Sequence, residues 1–159
     1  MKYLSLLIIM LFCSCTADTP TPTSSSKEIT EVEKKIAMDL VQGAFDDLWA
    51  GVDSTKILDY HTEDFIILEQ GEVWDNDRIK QYMRGQLAKE DRARRVNLMK
   101  YITIEKYGPS MQIAYRNYAK FYKEDSLVNN ASWMESALAV ETEVGWRLKM
   151  MHSTWMGRE

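Results

Sequence analysis

The chain has 159 residues, of which 45% are hydrophobic and 28% charged, a balance typical of one globular domain of ordinary size. Its 24 acidic and 20 basic side chains give a net charge of −4, which argues against a nucleic-acid partner because phosphate binding needs a basic face. Both cysteines, Cys13 and Cys15, precede the domain, which therefore cannot form an internal disulfide.

Residues 1–15 have the pattern of a secretory signal peptide, with Lys2 followed by an apolar run from Leu4 to Phe12. As a helix this run would rise only about 14 Å, too little to cross a hydrocarbon core of roughly 30 Å. The run ends in Phe12-Cys13-Ser14-Cys15, which resembles a bacterial lipobox. The resemblance implies cleavage before Cys15 and a lipid on its sulfur; an ordinary signal peptide cut slightly later is the alternative. We therefore expect a protein of the cell envelope, lipid-anchored to a bacterial membrane on its periplasmic or surface side.

Residues 16–27 are rich in proline and hydroxyl side chains, a composition that cannot build a core and predicts a disordered tether. The folded domain is then expected over residues 28–159. Apolar residues recurring every three or four positions predict a long helix over residues 28–49. The predicted apolar stripe consists of Ile29, Val32, Ile36, Leu40, Ala44, Leu48 and Trp49. Its N-cap is expected to be Thr30, in a capping box with Glu33, or Ser26.

Shorter patterns complete the predicted order of elements. A second helix is expected to end at Tyr60, and a third covers residues 78–89. A hairpin is predicted over residues 65–74, and alternating residues predict four long strands over 96–107, 111–122, 131–143 and from 145 onward. Tight turns between the long strands indicate an antiparallel meander, and helices followed by strands indicate an α+β fold with helices on one sheet face.

Several short motifs follow this order: Ala50-Gly51-Val52-Asp53, Glu63-Asp64-Phe65, Gly71, Asp77-Arg78-Ile79, and Gly145-Trp146-Arg147-Leu148 with His152-Ser153. Together they resemble the nuclear transport factor 2-like, or SnoaL-like, fold. The resemblance implies a cone with one pocket, in which three N-terminal helices pack on a curved antiparallel sheet. It also implies a homodimer formed through the outer sheet face. It does not imply one chemistry, because relatives include isomerases, dehydratases, cyclases, and modules that only bind or assemble.

Glu69 is the first catalytic candidate. It ends an alternating row with Phe65 and Ile67, and burial there would raise its pKa and suit it to proton transfer. Exposure beside the following turn is the alternative. Glu69 falls near the position where ketosteroid isomerases, by resemblance, keep their carboxylate base. The counterparts of the oxyanion donors are Ala44 and Ala137, with Glu135 nearby, which argues against isomerase activity.

The two histidines are further candidates. His152 is expected on the inward face of the last strand, in phase with Trp146, Leu148, Met150 and Met156. It would act there as a general acid or base, or as a core histidine with one hydrogen bond. His61 is expected either at the pocket mouth or as an exposed cap.

The remaining candidates could line a small-molecule pocket or simply form the sheet core: Trp74, Tyr115, Trp133, Glu135 and Trp155. The histidines lack metal-ligand spacing, so neither a metal site nor a cofactor is expected. The local positive charge at Arg92, Arg94 and Arg95 is interpreted as a solvated turn or strand start, with a phosphate site as the alternative. We therefore expect a domain that binds a small apolar or amphipathic ligand or mediates dimeric assembly. The alternative is a cofactor-independent acid/base enzyme of the isomerase, dehydratase or cyclase type.

Overall fold

The computed structural model describes residues 28–157, so the predicted signal peptide with Cys15 and the whole predicted tether lie outside the described residues. The helices are α1 (Glu31–Ala44), which continues as a π-helix (Phe45–Ala50), a 3-10 turn (Ser54–Lys56), α2 (Ile57–Tyr60) and α3 (Asn76–Leu87). The strands are β1 (His61–Glu69), β2 (Glu72–Asp75), β3 (Arg94–Tyr107), β4 (Ser110–Lys123), β5 (Ser126–Thr142) and β6 (Gly145–Gly157). No helix of the described part is long and apolar enough to cross a membrane.

Helix α1 begins at a capping box, as one of the two sequence alternatives predicted. The Thr30 side chain accepts a hydrogen bond from the Glu33 backbone, and the Glu33 carboxylate accepts one from the Thr30 backbone. The buried face is rotated from the predicted stripe, because Val32 is 71% exposed and Ile36 also faces solvent. The buried positions are Ala37, Leu40, Val41, Ala44, Phe45 and Leu48, a regular helical spacing in which small Ala37 replaces the larger residues expected.

The π-helix at the end of α1 widens the turn that carries Phe45 and Trp49. Its backbone closes through Gly51 N–H donating to the Asp46 carbonyl at 2.8 Å. A Cβ on Gly51 would lie 2.7 Å from the Asp47 carbonyl oxygen, so only glycine fits there. Such π-turns often occur at functional sites, and this one directs two aromatic rings toward the sheet.

The six strands form one sheet in the order β2-β1-β6-β5-β4-β3. The pairs from β3 to β6 are antiparallel and form the predicted meander. Strand β1 pairs antiparallel with β2 but parallel with β6, so the sheet is mixed at this one position. Parallel pairing of β1 with β6 needs a long connection between the two strands, and β2, α3 and strands β3 to β5 provide it.

The core lies between the helices and the concave face of the sheet, which confirms the α+β prediction. Its largest fully buried side chains are Tyr115, Phe65, Leu48, Ile57, Ile67, Ile79, Met83, Met111, Ile113, Leu148 and Met151. At the wide end of this layer the helices no longer fill the sheet, and a cavity remains.

Candidate functional site

The cavity lies between the π-helix, α3 and the concave face of the sheet, and has a volume of about 140 Å³. Its lining residues are Phe45, Trp49, Ile67, Glu69, Trp74, Tyr82, Arg95, Trp133, Glu135 and Ser153. A vestibule of about 340 Å³ adjoins it and shares Trp49, Tyr82, Arg95 and Trp133 with it. The site is therefore a funnel that narrows toward the middle of the sheet.

Aromatic rings form one wall of the cavity. Phe45 and Trp49 lie 6.1 Å apart between ring centroids, Trp49 and Tyr82 lie 5.7 Å apart, and Tyr82 and Trp74 lie 5.5 Å apart. Arg78 stacks on the outside of Trp74 at 4.3 Å and helps hold this ring. The contacts join the π-helix to α3 and β2, so the wall is a packed surface rather than a set of independent side chains.

A polar row crosses the sheet opposite the aromatic wall, formed by residues that are direct cross-strand neighbours on five strands; its members Glu135, Ser153 and Glu69 line the cavity. The row consists of Tyr101, Tyr115, Glu135, Ser153 and Glu69, on β3, β4, β5, β6 and β1. Adjacent strands are separated by about 4.8 Å, so Glu135 and Glu69 lie on either side of Ser153. The Ser153 hydroxyl donates a hydrogen bond of 3.2 Å to Glu135 Oε1.

Glu135 is a buried carboxyl of this row with a raised pKa. Burial raises the pKa of its carboxyl to about 7, and the nearby negative charge of Glu69 adds to this effect. Arg95 and the hydroxyl groups of Ser153 and Tyr115 lower the pKa in part, although the Tyr115 hydroxyl lacks good hydrogen-bond geometry. Glu135 is itself buried in the wall of the cavity and therefore changes its protonation near neutral pH.

Arg95 enters the cavity from β3. Its Nε donates to Asn97 Oδ1 at 2.7 Å, and the Asn97 amide donates to the Phe45 carbonyl of the π-helix at 3.3 Å. The guanidinium carbon lies 5.2 Å from the ring centroid of Trp133 and 5.7 Å from that of Phe45. These contacts hold a cationic group against aromatic faces, where it borders both the cavity and the vestibule.

Several buried polar atoms near this site have no hydrogen-bond partner among residues 28–157: Trp49 Nε1, Tyr115 Oη, Asn117 Oδ1, Asn117 Nδ2 and Glu135 Oε2. Most buried polar groups in folded proteins are paired, and exceptions mark sites completed by water or a ligand. Two of these atoms, Trp49 Nε1 and Glu135 Oε2, belong to residues that line the cavity, where they can meet the polar groups of a bound molecule.

The structure brings together four of the residues singled out in the sequence: Glu69, Trp74, Trp133 and Glu135 all line the cavity. Glu69 is half-buried, held at the end of β1 by the two-residue turn Gln70-Gly71, where both φ angles are positive. Tyr115 is fully buried behind Phe45, with its ring edge-on at 6.3 Å, and it does not line the cavity.

The expectation that His152 points inward is wrong. Lys149 is an extra residue in β6, because Leu148 pairs with Ala139 while Met150 pairs with Leu138. This β-bulge shifts the alternation, so Met151 and Ser153 face inward and His152 lies exposed on the outer face. His152 therefore lies on the opposite side of the sheet from Glu69 and Glu135.

His61 is neither at the pocket mouth nor an exposed cap, because it is 1% exposed within the core. Its Nδ1 donates to Asn76 Oδ1 at 2.9 Å, since the Asn76 amide nitrogen donates to the carbonyls of Thr62 and Glu63. The ring stacks on Phe65 at 3.7 Å. Burial lowers the pKa of His61 to about 4, so the imidazole is neutral and structural at physiological pH.

Sequence reasoning assigned no site role to Phe45, Trp49, Tyr82, Arg95 or Ser153. The interpretation of Arg95 as a solvated residue is wrong, because its side chain is half-buried and lines the cavity. For Arg95 a signal existed, because it alternates with Asn97, Met99 and Tyr101, all of which face the concave side. Residues 28–157 contain no group of three or more His, Cys, Asp or Glu side chains arranged to hold a metal ion. What the site offers is a titratable carboxyl, a second carboxylate, a guanidinium and an aromatic wall.

Comparison with known proteins supports the fold. No family model matches the chain, and a search of curated proteins finds no match. Solved structures do match. The CaMKII hub homology domain of Chlamydomonas reinhardtii is 15% identical with a TM-score of 0.67, and the match covers 77% of this chain and 98% of that one.

Two bacterial structures also match over most of the chain. Aln2 from a Streptomyces species is 10% identical with a TM-score of 0.69, covering 81% of this chain and 94% of that one. A nuclear transport factor 2-like protein from Cytophaga hutchinsonii is 13% identical with a TM-score of 0.61, covering 80% and 100%. The chain thus has the nuclear transport factor 2-like fold predicted from its motifs, and likeness at this identity speaks for the fold alone.

Proposed function

We propose that the domain binds a small amphipathic molecule in the cavity between the aromatic wall and the polar row. The observation that carries this proposal is a cavity with an aromatic wall whose lining also includes two unpartnered polar atoms, Trp49 Nε1 and Glu135 Oε2. An amphipathic ligand places its apolar body against Trp49, Trp74 and Tyr82 and its polar groups toward Glu135 and Arg95. Burying apolar surface on both sides gives affinity, while the few polar contacts give orientation.

Native mass spectrometry of the domain from Ser26 onward, purified from its own host, tests this proposal. We expect a retained small-molecule adduct in the wild type and its loss in Trp74→Ala, which removes part of the aromatic wall. Tyr107→Ala is the control, because this aromatic residue is exposed at the β3–β4 turn and does not line the cavity. A wild-type protein without any adduct would contradict ligand binding and favour assembly as the function.

A second candidate function is cofactor-independent acid/base catalysis, favoured by the Glu135 pKa of about 7 beside Glu69. A carboxyl that titrates near the working pH is suited to general acid or base catalysis. If the retained molecule is a substrate, catalytic amounts of protein in D₂O will introduce deuterium into it, and Glu135→Gln will abolish this exchange. A molecule that stays unlabelled opposes the enzyme alternative.

Assembly is proposed as a property of the outer sheet face. Leu98 and Met150 are exposed on that face, and a structural neighbour is a CaMKII hub homology domain. Sedimentation is expected to give a homodimer for the wild type and a monomer for Leu98→Lys, since a charge would be buried in the interface. Val144→Lys, in the exposed β5–β6 turn, should remain dimeric; a dimeric Leu98→Lys would place the interface elsewhere.

The cellular location of the protein is likewise proposed from the sequence. We propose that the protein is exported and anchored through lipid on Cys15, with residues 16–27 as the tether. In its host, Cys15→Ser should lose lipid attachment and processing, whereas Cys13→Ser should keep both. Normal lipidation of Cys15→Ser would contradict the proposed lipid anchor on Cys15.

A further inference from the structure

The chemical class of the ligand can be argued from the charges of the cavity, and this step rests on the proposed ligand-binding function. Arg95 is the one basic residue that lines the cavity within the described chain. None of the ion pairs closer than 4.0 Å in residues 28–157 includes it. Glu135 and Glu69 line the same cavity and attract the guanidinium electrostatically, but neither forms a direct ion pair with it within the described residues. A partly buried cation without a directly paired anion favours a negatively charged ligand.

The donors of Arg95 point to the geometry of that ligand. Nε is engaged with Asn97 Oδ1, and this is the only hydrogen bond of the guanidinium within the described chain. The two terminal nitrogens therefore remain available at the boundary of the cavity and the vestibule. Paired N–H groups in one plane match the two oxygens of a carboxylate.

The rim of the vestibule supports the same sign of charge. Lys89 and Arg92 line it together with Asp91, and Asp91 forms an ion pair with Lys123 outside. The rim is therefore net positive, which attracts anions toward the funnel.

The inner cavity sets the size of the apolar part. Its 140 Å³ is close to the roughly 150 Å³ of an apolar cavity that holds benzene. Glu135 Oε2 lies at the inner wall without a partner among residues 28–157 and can accept a hydrogen bond, or donate one when protonated.

We infer that the cavity binds a small organic monocarboxylate with a ring-sized apolar body, its carboxylate on the terminal nitrogens of Arg95 and its body against the aromatic wall. The groups that face Glu135 are Glu69 from β1, Arg95 from β3, Tyr115 from β4, Ser153 from β6 and Tyr82 from α3. Among them only Glu69 adds negative charge. Ionisation of Glu135 therefore brings a second negative charge close to the bound carboxylate and opposes binding.

The test compares three probes of one size on the full chain by isothermal titration: benzoate, neutral benzamide and cationic benzylammonium. We expect benzoate to bind at least about tenfold more tightly than benzamide, and benzylammonium to bind most weakly. Arg95→Gln should remove this preference, whereas Arg94→Gln should keep it, because Arg94 is exposed and stacks on Tyr122. Benzoate affinity should fall by up to about tenfold per pH unit above 7 in the wild type, and stay level in Glu135→Gln.

Two results would overturn the inference. If benzamide or benzylammonium binds as tightly as benzoate, the cavity remains a ligand site but is not selective for an anion. If benzoate binds equally to Arg95→Gln and Arg94→Gln, its site is not at Arg95. Absence of binding by all three probes, with no adduct in native mass spectra, would refute the ligand-binding function itself.

Discussion

Replacing Glu135 with glutamine is expected to stabilise the protein at pH 8 by roughly 3 kcal/mol. Burial raises the pKa of this carboxyl from 4.5 to about 7, so the folded chain holds a proton that the unfolded chain has released between these pH values. The contribution of Glu135 to the free energy of unfolding is therefore greatest below pH 4.5, and it is lost as the pH rises to 7. At roughly 1.4 kcal/mol per pH unit, glutamine regains about 3 kcal/mol above pH 7 because it has no charge to bury.

Urea unfolding at a series of pH values measures this effect. The difference between Glu135→Gln and the wild type should vanish near pH 4.5 and be greatest above pH 7. Glu141→Gln is the control, since Glu141 lies exposed on the same strand and should change little at any pH. A Glu135→Gln protein no more stable than the wild type at pH 8 would show that ionised Glu135 is compensated in the cavity. A destabilising buried acid of this kind is expected where function, rather than stability, selects the residue.

The second large effect belongs to His61 and has the opposite sign. Burial lowers the pKa of this imidazole from 6.5 to about 4, so between these values the unfolded chain takes up a proton that the folded chain refuses. The contribution of His61 to the free energy of unfolding is greatest above pH 6.5, and it falls by roughly 3 kcal/mol as the pH drops to 4. In the wild type this loss opposes the gain from Glu135 between pH 4.5 and 6.5, so neither effect is visible alone.

The Glu135→Gln background reveals the histidine. There, the free energy of unfolding should drop between pH 6.5 and 4, and adding His61→Gln should remove that part of the slope. Adding His152→Gln instead should leave the slope unchanged, because His152 is exposed. If the His61 and His152 double variants behave alike, the imidazole of His61 does not titrate as its burial implies.

The fold can be predicted from the sequence because periodicity, caps and turns agree over most of the chain. The residues at the inner end of alternating strands are also predictable. Glu69 follows Phe65 and Ile67 by a period of two, and Glu135 follows Trp133.

Other parts of the site depend on tertiary context that periodicity does not contain. On β3 the outer row holds apolar Val96 and Leu98, while the inner row begins with Arg95, so hydrophobicity suggests the wrong face. His61 is a polar residue at the first position of β1, where the sequence alone suggests exposure. Its burial depends on a hydrogen bond to Asn76, which lies 15 residues later in the chain. The pattern misplaces the apolar stripe of α1 because it weights large apolar residues. The larger Val32 is exposed, whereas the small Ala37 is fully buried.

The bulge at Lys149 has a consequence for sequence alignment. A β6 shorter by this one residue would present the same inward Met151 and Ser153 without a bulge, so the strand absorbs the extra residue locally. Any alignment to a chain whose last strand has no such bulge must place a one-residue gap at this point. Without that gap, every position after Leu148 would be assigned to the wrong face, and a function would be transferred to His152 that belongs beside it.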